Sequence, residues 1–371
     1  MDTQSIGISS DQSGRAAGRS SSEPVSSASG LSSIIIRTPN WLGDCLICMP
    51  ALYQLHRAFD KRVSLAVACK SSLQPLWSLA EWIDQVIPFN GSRIDRSKKA
   101  EIRESGFDGA IVMPNSFGSA WDLAHCGIPV RIGRGGRARG WLLTHRLPAR
   151  AAVPGSGGGH QVEEYFDLVE SLTPITREPP EEPLLTVSSE LMTTVRRRFA
   201  LEKNCHRKPL LTMAPGAAYG PAKQWPVEYF REIIRWAGKE GYRVLLIGTE
   251  KERELAAFII DNTECAENLC GRTSIPESAA ILQLSTVCLC NDSGVMHLAA
   301  ATGCPGVAIF GSTSAPATGP LANNWRVLES TQECSPCFRR RCRRQDTPYA
   351  CLREITPEQV WRAITKLHRR E

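Results

Sequence analysis

Short apolar runs alternate with longer amphipathic stretches along most of this chain. The runs fall at residues 33–37, 63–68, 109–113, 210–214, 243–248, 287–290 and 306–310. Such short runs are typical of strands that are buried on both faces of a sheet. Between the runs, apolar side chains recur at helical spacing, as at Ile47, Ala51, Leu55 and Ala58. The alternation predicts an α/β protein whose parallel sheets are built from β-α-β units.

Two breaks divide the pattern. Residues 150–159 are rich in Ala, Pro, Gly and Ser, and residues 174–183 carry several prolines and acids. The alternation resumes after Pro209, and a chain of 371 residues is too long for one ordinary domain. A last helix is predicted at 357–368, with Thr356 as its cap. We therefore expect two Rossmann-like domains that face a central cleft, where ligands of such proteins usually bind.

Composition narrows the class of protein. Hydrophobic residues make up 42% and charged residues 22% of the chain, which fits a soluble globular protein. No apolar stretch approaches the roughly 20 residues that span a bilayer. The net charge of +6 suits anionic ligands or an anionic membrane surface. Residues 1–30 are rich in Ser, Gly and Ala without an apolar block, so we expect a disordered leader and a cytoplasmic protein.

The segment 291–297 places polar residues where a predicted strand ends and a helix begins. It contains Asp292, Ser293 and Gly294, with His297 on the same face of the first helical turn as Ser293. In an open α/β sheet, ligands bind at this edge, and the free amides of a helix N-terminus favour phosphate. The segment predicts a nucleotide or diphosphate-sugar site.

A second candidate for the phosphate end of a ligand is the loop 215–226, which follows the strand 210–214. Gly216 and Gly220 permit a tight backbone path close to a ligand. Lys223 stands just before the next helix and could neutralise a diphosphate as a point charge. A plain connecting loop with a solvated lysine explains the same pattern equally well.

Asp44 lies at the corresponding junction of the first half. Aspartate is a favoured helix N-cap, and the local sequence favours that role. The alternative is a general base that faces the cleft and deprotonates an acceptor hydroxyl.

The segment 131–140 interleaves arginine with glycine. A flexible loop of this kind could converge its guanidinium groups on carboxylates or phosphates, or could simply be solvated. Nucleic acid is a weaker alternative, because aromatic residues are scarce there beyond Trp141.

Fourteen cysteines occur in the chain, most of them in apolar segments where a thiol is a small buried hydrophobe. The exceptions are spaced C-x2-C-x4-C-x8-C, at Cys334, Cys337, Cys342 and Cys351. Four thiolates could form a tetrahedral zinc site, but a second C-x2-C pair is missing. Structural thiols are therefore favoured over a metal.

Read together and in order, these segments resemble the ADP-heptose:lipopolysaccharide heptosyltransferases of glycosyltransferase family 9. The resemblance runs from about Ser33 to the C-terminus and rests on residues 37–44, 113–117, 127–140, 215–226, 291–297 and 334–357. It implies a GT-B fold with an acceptor domain at 31–183, a donor domain at 184–355 and a final helix, 356–371, that packs back on the first domain. The implied reaction transfers L-glycero-D-manno-heptose from ADP-heptose to the first heptose of the lipopolysaccharide inner core, with inversion.

The resemblance also assigns roles to residues of this chain. It makes Asp44 the general base, which reverses the local preference for a cap. The implied donor-site residues are Lys223, Glu250, Thr273, Asp292, Ser293, Gly294 and His297. We expect the acceptor, which carries carboxylates and phosphates, to meet Asn115, Ser116, Arg134, Arg137 and Arg139. No cofactor is required, although a divalent cation such as Mg²⁺ could assist.

The implied lipid acceptor predicts peripheral association with the inner membrane and no nucleic-acid partner. Two alternatives remain open at this point. One is a GT-B transferase with another nucleotide-sugar donor, and the other is a non-catalytic protein that binds zinc or nucleic acid through the cysteine and arginine cluster near the C-terminus.

Overall fold

The computed structural model describes residues 30–136, 138–149, 159–180, 183–201, 208–261 and 263–369. The predicted leader, except Gly30, lies outside these ranges, as do Arg137 and most of the predicted loop 150–159.

The first half is a parallel six-stranded sheet with helices on both faces. Its strands are β1 (Ser33–Arg37), β2 (Ser64–Lys70), β3 (Gln85–Phe89), β4 (Gly109–Val112), β5 (Val130–Arg134) and β6 (His145–Leu147), in the order β3-β2-β1-β4-β5-β6. Its helices are α1 (Leu42–Phe59), α2 (Gln74–Trp77), α3 (Arg96–Glu104), α4 (Phe117–Ala124) and α5 (Val162–Glu170). Helices α1 and α5 pack on one face of this sheet, and α3 and α4 pack on the other.

The second half repeats this arrangement. Its strands are β7 (Leu210–Ala214), β8 (Arg243–Leu246), β9 (Ala266–Asn268), β10 (Val287–Asn291), β11 (Gly306–Phe310) and β12 (Trp325–Glu329), in the order β12-β11-β10-β7-β8-β9. Its helices are α6 (Ser189–Arg198), α7 (Val227–Lys239), α8 (Arg253–Ile260), α9 (Ile275–Leu284), α10 (Gly294–Ala301), α11 (Ala315–Thr318), α12 (Ala350–Arg353) and α13 (Pro357–His368). Both sheets thus have the strand order of dinucleotide-binding folds, and the predicted pair of Rossmann-like units is confirmed.

The order of the strands fixes where a ligand can bind. In each sheet the order reverses between the first and fourth strands, β1 and β4 or β7 and β10. The connections that leave neighbouring strands at such a point diverge to opposite faces and open a crevice at the carboxyl edge. Helix α1 follows β1 and helix α10 follows β10, so both begin at these crevices.

Helix α1 joins the two halves. It packs against α5 of its own half and against α10 of the other, and one apolar core runs through all three helices. Among the described helices, none combines the length and the apolar character that crossing a bilayer requires.

Two sequence-based expectations differ from the structure. Residues 130–134 form strand β5 instead of a flexible loop, because Ile132 is buried and Gly133 fits beneath Leu143. The final helix packs on α7, β10 and β11 of the second half, although the resemblance had placed it on the first. Its apolar face, which includes Val360 and Ile364, belongs to the core of the second sheet.

Candidate functional site

The first turns of α1 and α10 meet at the carboxyl edges of the two sheets. A Cβ atom on Gly43 would lie 3.3 Å from His297 Cδ2, and one on Gly294 would lie 3.1 Å from Leu42 Cδ2. These distances are shorter than most Cβ contacts, so glycine at both positions favours the close approach of the two helix ends. The approach sets Asp44, in the first turn of α1, opposite the N-terminus of α10.

Asp44 is not the cap of its helix. The N-cap position is Trp41, which makes no capping hydrogen bond, and Asp44 lies inside the first turn. The Asp44 carboxylate instead accepts a hydrogen bond from Gln161 Nε2 at 3.3 Å. Burial raises the pKa of Asp44, while the Gln161 bond and the positive charge of Lys223 act in the opposite direction. A carboxylate with a raised pKa is better matched to proton abstraction near neutral pH.

Lys223 and Asp292 form an ion pair on the side of the second half. Their side chains are only 13% and 6% exposed, and Thr313 Oγ1 donates to Asp292 Oδ2 at 2.6 Å. The sequence did not indicate Thr313, which follows β11 and reaches Asp292 only because β10 and β11 are neighbours. The lysine is thus held at the α10 terminus and is not a solvated loop residue.

Asn291 fixes the loop that carries Lys223. Its side-chain amide donates to the carbonyl oxygen of Pro215 at 2.7 Å, and its Oδ1 accepts from the backbone N–H of Trp225 at 3.1 Å. Both ends of the loop 215–226 are therefore tied to the last residue of β10. These bonds give the fully buried Asn291 a supporting role that its position in the sequence did not reveal.

Two buried hydroxyl groups adjoin Asp292 and its partner Thr313 in sequence, because Ser293 follows Asp292 and Ser312 precedes Thr313. Ser293 Oγ, at the N-cap of α10, and Ser312 Oγ, in the loop after β11, have no hydrogen-bond partner among the described residues. Leaving a buried hydroxyl unpaired costs about 1–3 kcal/mol. Unpaired hydroxyls and helix amides together suit a ligand rich in oxygen atoms, such as a phosphate.

His297 is buried in the same turn of α10. Burial lowers its pKa to about 4, and the charge of Asp292 opposes that shift. The imidazole is therefore neutral at pH 7. His160 of the first half lies near it and adds to the lowering of that pKa.

The segment before α5 crosses from the first half to the second. His160 Nε2 lies 3.0 Å from the carbonyl oxygen of Gly319, and the backbone N–H of Gln161 donates to Ala317 at 2.8 Å. The Val162 N–H donates to His160 Nδ1 at 3.1 Å, so His160 carries its proton on Nε2 and donates to Gly319. The residue that contacts Asp44 is thus anchored to the opposite half.

Glu250 and Thr273 lie farther along the same edge of the second sheet. Glu250, which follows β8, is exposed and pairs with Arg253 at 2.9 Å. Thr273 Oγ1 lies 2.9 Å from Ser278 Oγ. Glu250 lies against Gly271, where a Cβ atom would overlap the Glu250 carboxylate, and Thr273 follows Gly271 by two residues in the chain. Both follow β8 or β9, which lie on the other side of β7 from β10, and neither contacts Lys223 or Asp292 among the hydrogen bonds and ion pairs of the described residues.

Two of the three predicted acceptor arginines, Arg134 and Arg139, point inward. Arg139 is fully buried and donates to the carbonyl oxygens of Pro114 and Arg134 and to Asn115 Oδ1. Arg134 is 5% exposed and pairs with Asp167. These two cations support the loop after β5 and do not present charge to a ligand, which corrects the expectation for them. Arg137 lies outside the described residues.

Asn115 and Ser116 follow β4, directly beside the end of β1. Ser116 is the N-cap of α4 and accepts from the Ser119 N–H at 3.2 Å. The position of Asn115 and Ser116 at the crevice of the first sheet is compatible with an acceptor site. Each side chain also accepts a hydrogen bond from its own half, Asn115 from Arg139 and Ser116 from Ser119.

The four clustered cysteines are free thiols. Burial and the three neighbouring thiols raise the pKa of Cys351 to about 11. Within the described ranges, no three His, Cys, Asp or Glu side chains are placed to hold a metal ion. The zinc alternative therefore gains no geometric support.

A carboxylate on one half faces a lysine and a helix N-terminus on the other. This arrangement suits a two-domain transferase that joins a hydroxyl acceptor to a group carried on a phosphate. The sequence profile of glycosyltransferase family 9 (heptosyltransferase) matches residues 96–347, which is more than half of the chain. This chain belongs to that family and has its GT-B fold.

Individual relatives narrow the comparison. The chain is 30% identical to lipopolysaccharide heptosyltransferase 2 of Escherichia coli, over 80% of this chain and 87% of that protein. It is 29% identical to the Salmonella typhimurium protein of the same name, over 90% and 97%. The solved structure of E. coli ADP-heptose LPS heptosyltransferase II superposes with a TM-score of 0.76 at 29% identity, over 92% of this chain and 99% of that one.

Proposed function

We propose that this chain transfers L-glycero-D-manno-heptose from ADP-heptose to the first heptose of the lipopolysaccharide inner core, with inversion at the anomeric carbon. One observation carries the proposal: Asp44 faces Lys223, Asp292 and the α10 terminus where the two halves meet. Relatives named heptosyltransferase 2, with similar length, supply the identity of the sugar and the acceptor.

The reaction needs a base on one side of the anomeric carbon and stabilisation of the leaving group on the other. Asp44 removes the proton from the acceptor hydroxyl as its oxygen forms a bond to the anomeric carbon. The bond from that carbon to the diphosphate oxygen breaks, and ADP leaves with the electron pair. Lys223 and the free amides at Ser293 and Gly294 stabilise the charge that develops on the diphosphate.

The other donor-site residues have supporting roles in this proposal. Asp292 holds Lys223 in place, and the neutral His297 can exchange hydrogen bonds with a sugar hydroxyl or a phosphate oxygen. Glu250 and Thr273 lie where the nucleoside end of ADP would extend along the sheet edge. A carboxylate there can accept hydrogen bonds from ribose hydroxyls, as acids do in other dinucleotide-binding folds.

On the acceptor side we place Asn115 and Ser116, beside the β1 crevice. The acceptor is a membrane lipid, so the enzyme works at the cytoplasmic face of the inner membrane as a peripheral protein. The reaction as written uses no cofactor, because Lys223 supplies the charge that a divalent cation would otherwise bring to the diphosphate.

The test is turnover of ADP-heptose with a truncated heptosyl-Kdo-lipid acceptor, by the wild type and by Asp44→Asn. Removal of a general base lowers kcat by about 10²- to 10⁴-fold. Asp60→Asn is the matched control, because Asp60 ends the same helix, is exposed and has a left-handed backbone that asparagine adopts readily. Full activity of Asp44→Asn would remove the base assignment, and preference for a UDP- or GDP-sugar would favour a different transferase of this fold.

A further inference from the structure

Exposed aromatic side chains collect at the carboxyl edge of the first sheet. The described residues include five exposed large hydrophobic side chains, and three of these are Trp41, Phe117 and Trp141, which are 68%, 39% and 67% exposed. Trp41 precedes α1, Phe117 begins α4, and Trp141 lies in the short helical turn after β5. Large exposed apolar groups that cluster in this way mark an interaction surface.

Phe117, Trp121 and Trp141 form one group, which we name the aromatic cluster. Their ring centroids are 5.7 to 6.3 Å apart, and Trp121 also lies 4.0 Å from the His125 ring. The indole N–H of Trp141 donates to the carbonyl oxygen of Ala138 at 3.0 Å. The rings are therefore held in place while Trp141 remains largely open to solvent.

Basic side chains border the aromatic cluster. Arg93 lies against α4, where a Cβ atom on Gly118 would be 2.8 Å from Arg93 Cδ. Arg93 and Lys99 both pair with Asp122 at 2.7 Å, so this trio keeps an excess positive charge. Arg146 is exposed and lies next to Gly140, the residue before Trp141. The surface thus combines aromatic rings with cations.

The position of the aromatic cluster indicates what it contacts. Helix α4 and the turn at 140–142 pack on the sheet face that is opposite to α1. The cluster therefore lies outside the space between Asp44 and Lys223, although it stands at the same edge of the sheet. A sugar that reacts between Asp44 and Lys223 cannot also contact the aromatic cluster. The bilayer that carries the acceptor can cover the cluster while the sugar occupies the site.

We propose that the aromatic cluster docks this protein on an anionic phospholipid bilayer. Tryptophan rings favour the headgroup level of a membrane, and arginines pair with lipid phosphates. The reason for docking rests on the proposed function, because docking at the cluster would bring a lipid-anchored acceptor to the Asp44 side of the sheet. The binding itself needs neither ADP-heptose nor acceptor.

Co-sedimentation with vesicles tests the proposal directly. The vesicles contain phosphatidylethanolamine with phosphatidylglycerol, or phosphatidylcholine alone, and no lipopolysaccharide. We expect the wild type to bind the anionic vesicles more tightly, and Trp141→Ser to weaken that binding about tenfold, which one interfacial aromatic anchor can account for. Phe258→Ser is the matched control, because Phe258 is 61% exposed but belongs to α8 of the second half.

Three results would overturn docking by the cluster. They are absence of wild-type binding, equal binding by wild type and Trp141→Ser, and an equal loss in Phe258→Ser. Trp141 is exposed, so the variant should keep its fold, which far-UV circular dichroism checks. Should Trp141→Ser unfold, Arg146→Glu takes its place and is expected to weaken binding to the anionic vesicles alone.

Activity separates docking from sugar binding. With an acceptor embedded in vesicles, Trp141→Ser should raise KM, while with a water-soluble, deacylated acceptor its kinetics should match the wild type. Equal losses on both acceptors would make the cluster a carbohydrate site and refute the proposal. Vesicle binding without any heptosyl transfer by the wild type would instead refute the proposed function and leave docking intact.

Discussion

At the scale of single residues, the ion pair between Lys223 and Asp292 is a buried charge pair at the candidate site. Both side chains are mostly buried, and Thr313 also donates to the Asp292 carboxylate. Breaking a buried pair leaves an uncompensated charge, which typically costs 3–5 kcal/mol, whereas removing both charges is often nearly neutral. Stability and function can therefore be separated at this pair.

We expect Lys223→Met to lower the free energy of unfolding by about 3 kcal/mol, because the buried Asp292 then loses its positively charged partner and keeps only the hydrogen bond from Thr313. The double variant Lys223→Met/Asp292→Asn should recover most of that loss. Both variants should bind ADP more weakly than the wild type, because both lack the Lys223 cation at the diphosphate. Urea unfolding and calorimetric ADP titration measure the two effects. Recovery of ADP affinity in the double variant would contradict the role of Lys223.

His297 makes stability depend on pH. Its pKa falls from an ordinary value of 6.5 to about 4 in the folded protein, so the unfolded chain binds this proton more readily. The contribution of neutral His297 is complete above about pH 6.5 and is lost as the pH falls towards 4, by about 3 kcal/mol. His297→Gln should flatten the stability curve in that range. Thermal unfolding from pH 4 to 7 measures it, and an unchanged slope would exclude His297 as its source.

At the scale of elements, the start of α5 connects the candidate base to the other half. Gln161 donates through its side chain to Asp44 and through its backbone to Ala317. The side-chain nitrogen Gln161 Nε2 also donates to the hydroxyl of Tyr165 at 3.2 Å, one turn further along α5. A change in the contact between the halves would therefore move the residue that orients Asp44.

Gln161→Ala should shift the pH dependence of catalysis. The Gln161 bond lowers the pKa of Asp44, so its loss raises that pKa further. The base acts only when deprotonated, and the acid limb of kcat/KM should therefore move to higher pH. Gln54→Ala is the control, because Gln54 lies on α1 but bonds to Glu178, away from Asp44. A lower plateau without a shifted limb would mean that Gln161 has only a structural role.

The sequence predicts the central strands of both sheets because they are continuous apolar runs, as at 287–290 and 306–310. It does not predict β5, because the arginines of this strand resemble those of a solvated loop. In the fold, Arg131 and Arg134 donate hydrogen bonds to the carbonyl oxygens of Leu142 and Pro148. The sequence does not indicate Gln161 or Thr313 either, because each contacts a site residue that is distant from it in sequence, Asp44 or Asp292. Local patterns identify Asp292, which directly follows β10, and Lys223, in the loop between β7 and α7, but they miss the residues of other elements that support these two.

At the scale of the whole molecule, the two halves share one apolar core. That core includes Ile34 and Leu46 of the first half together with Leu210, Met296 and Leu298 of the second. Domains joined only by a linker usually unfold independently, whereas a shared core couples their unfolding. The contact between α1 and α10 therefore links the donor half to the half that carries Asp44.

This coupling predicts a single thermal transition in calorimetry, and ADP should move the whole transition upward. The donor residues lie in the second half. A ligand at 100 times its Kd adds about 2.7 kcal/mol to the stability of the cooperative unit that contains its site. If the halves were independent, ADP would shift only one of two transitions. Gly43→Val tests the cause from the first half, because a Cβ atom there would lie 3.3 Å from His297 Cδ2 and 3.7 Å from the Gly294 Cα, so the branched side chain crowds the contact between α1 and α10. We expect this variant to split the transition, with ADP shifting only the component from the second half.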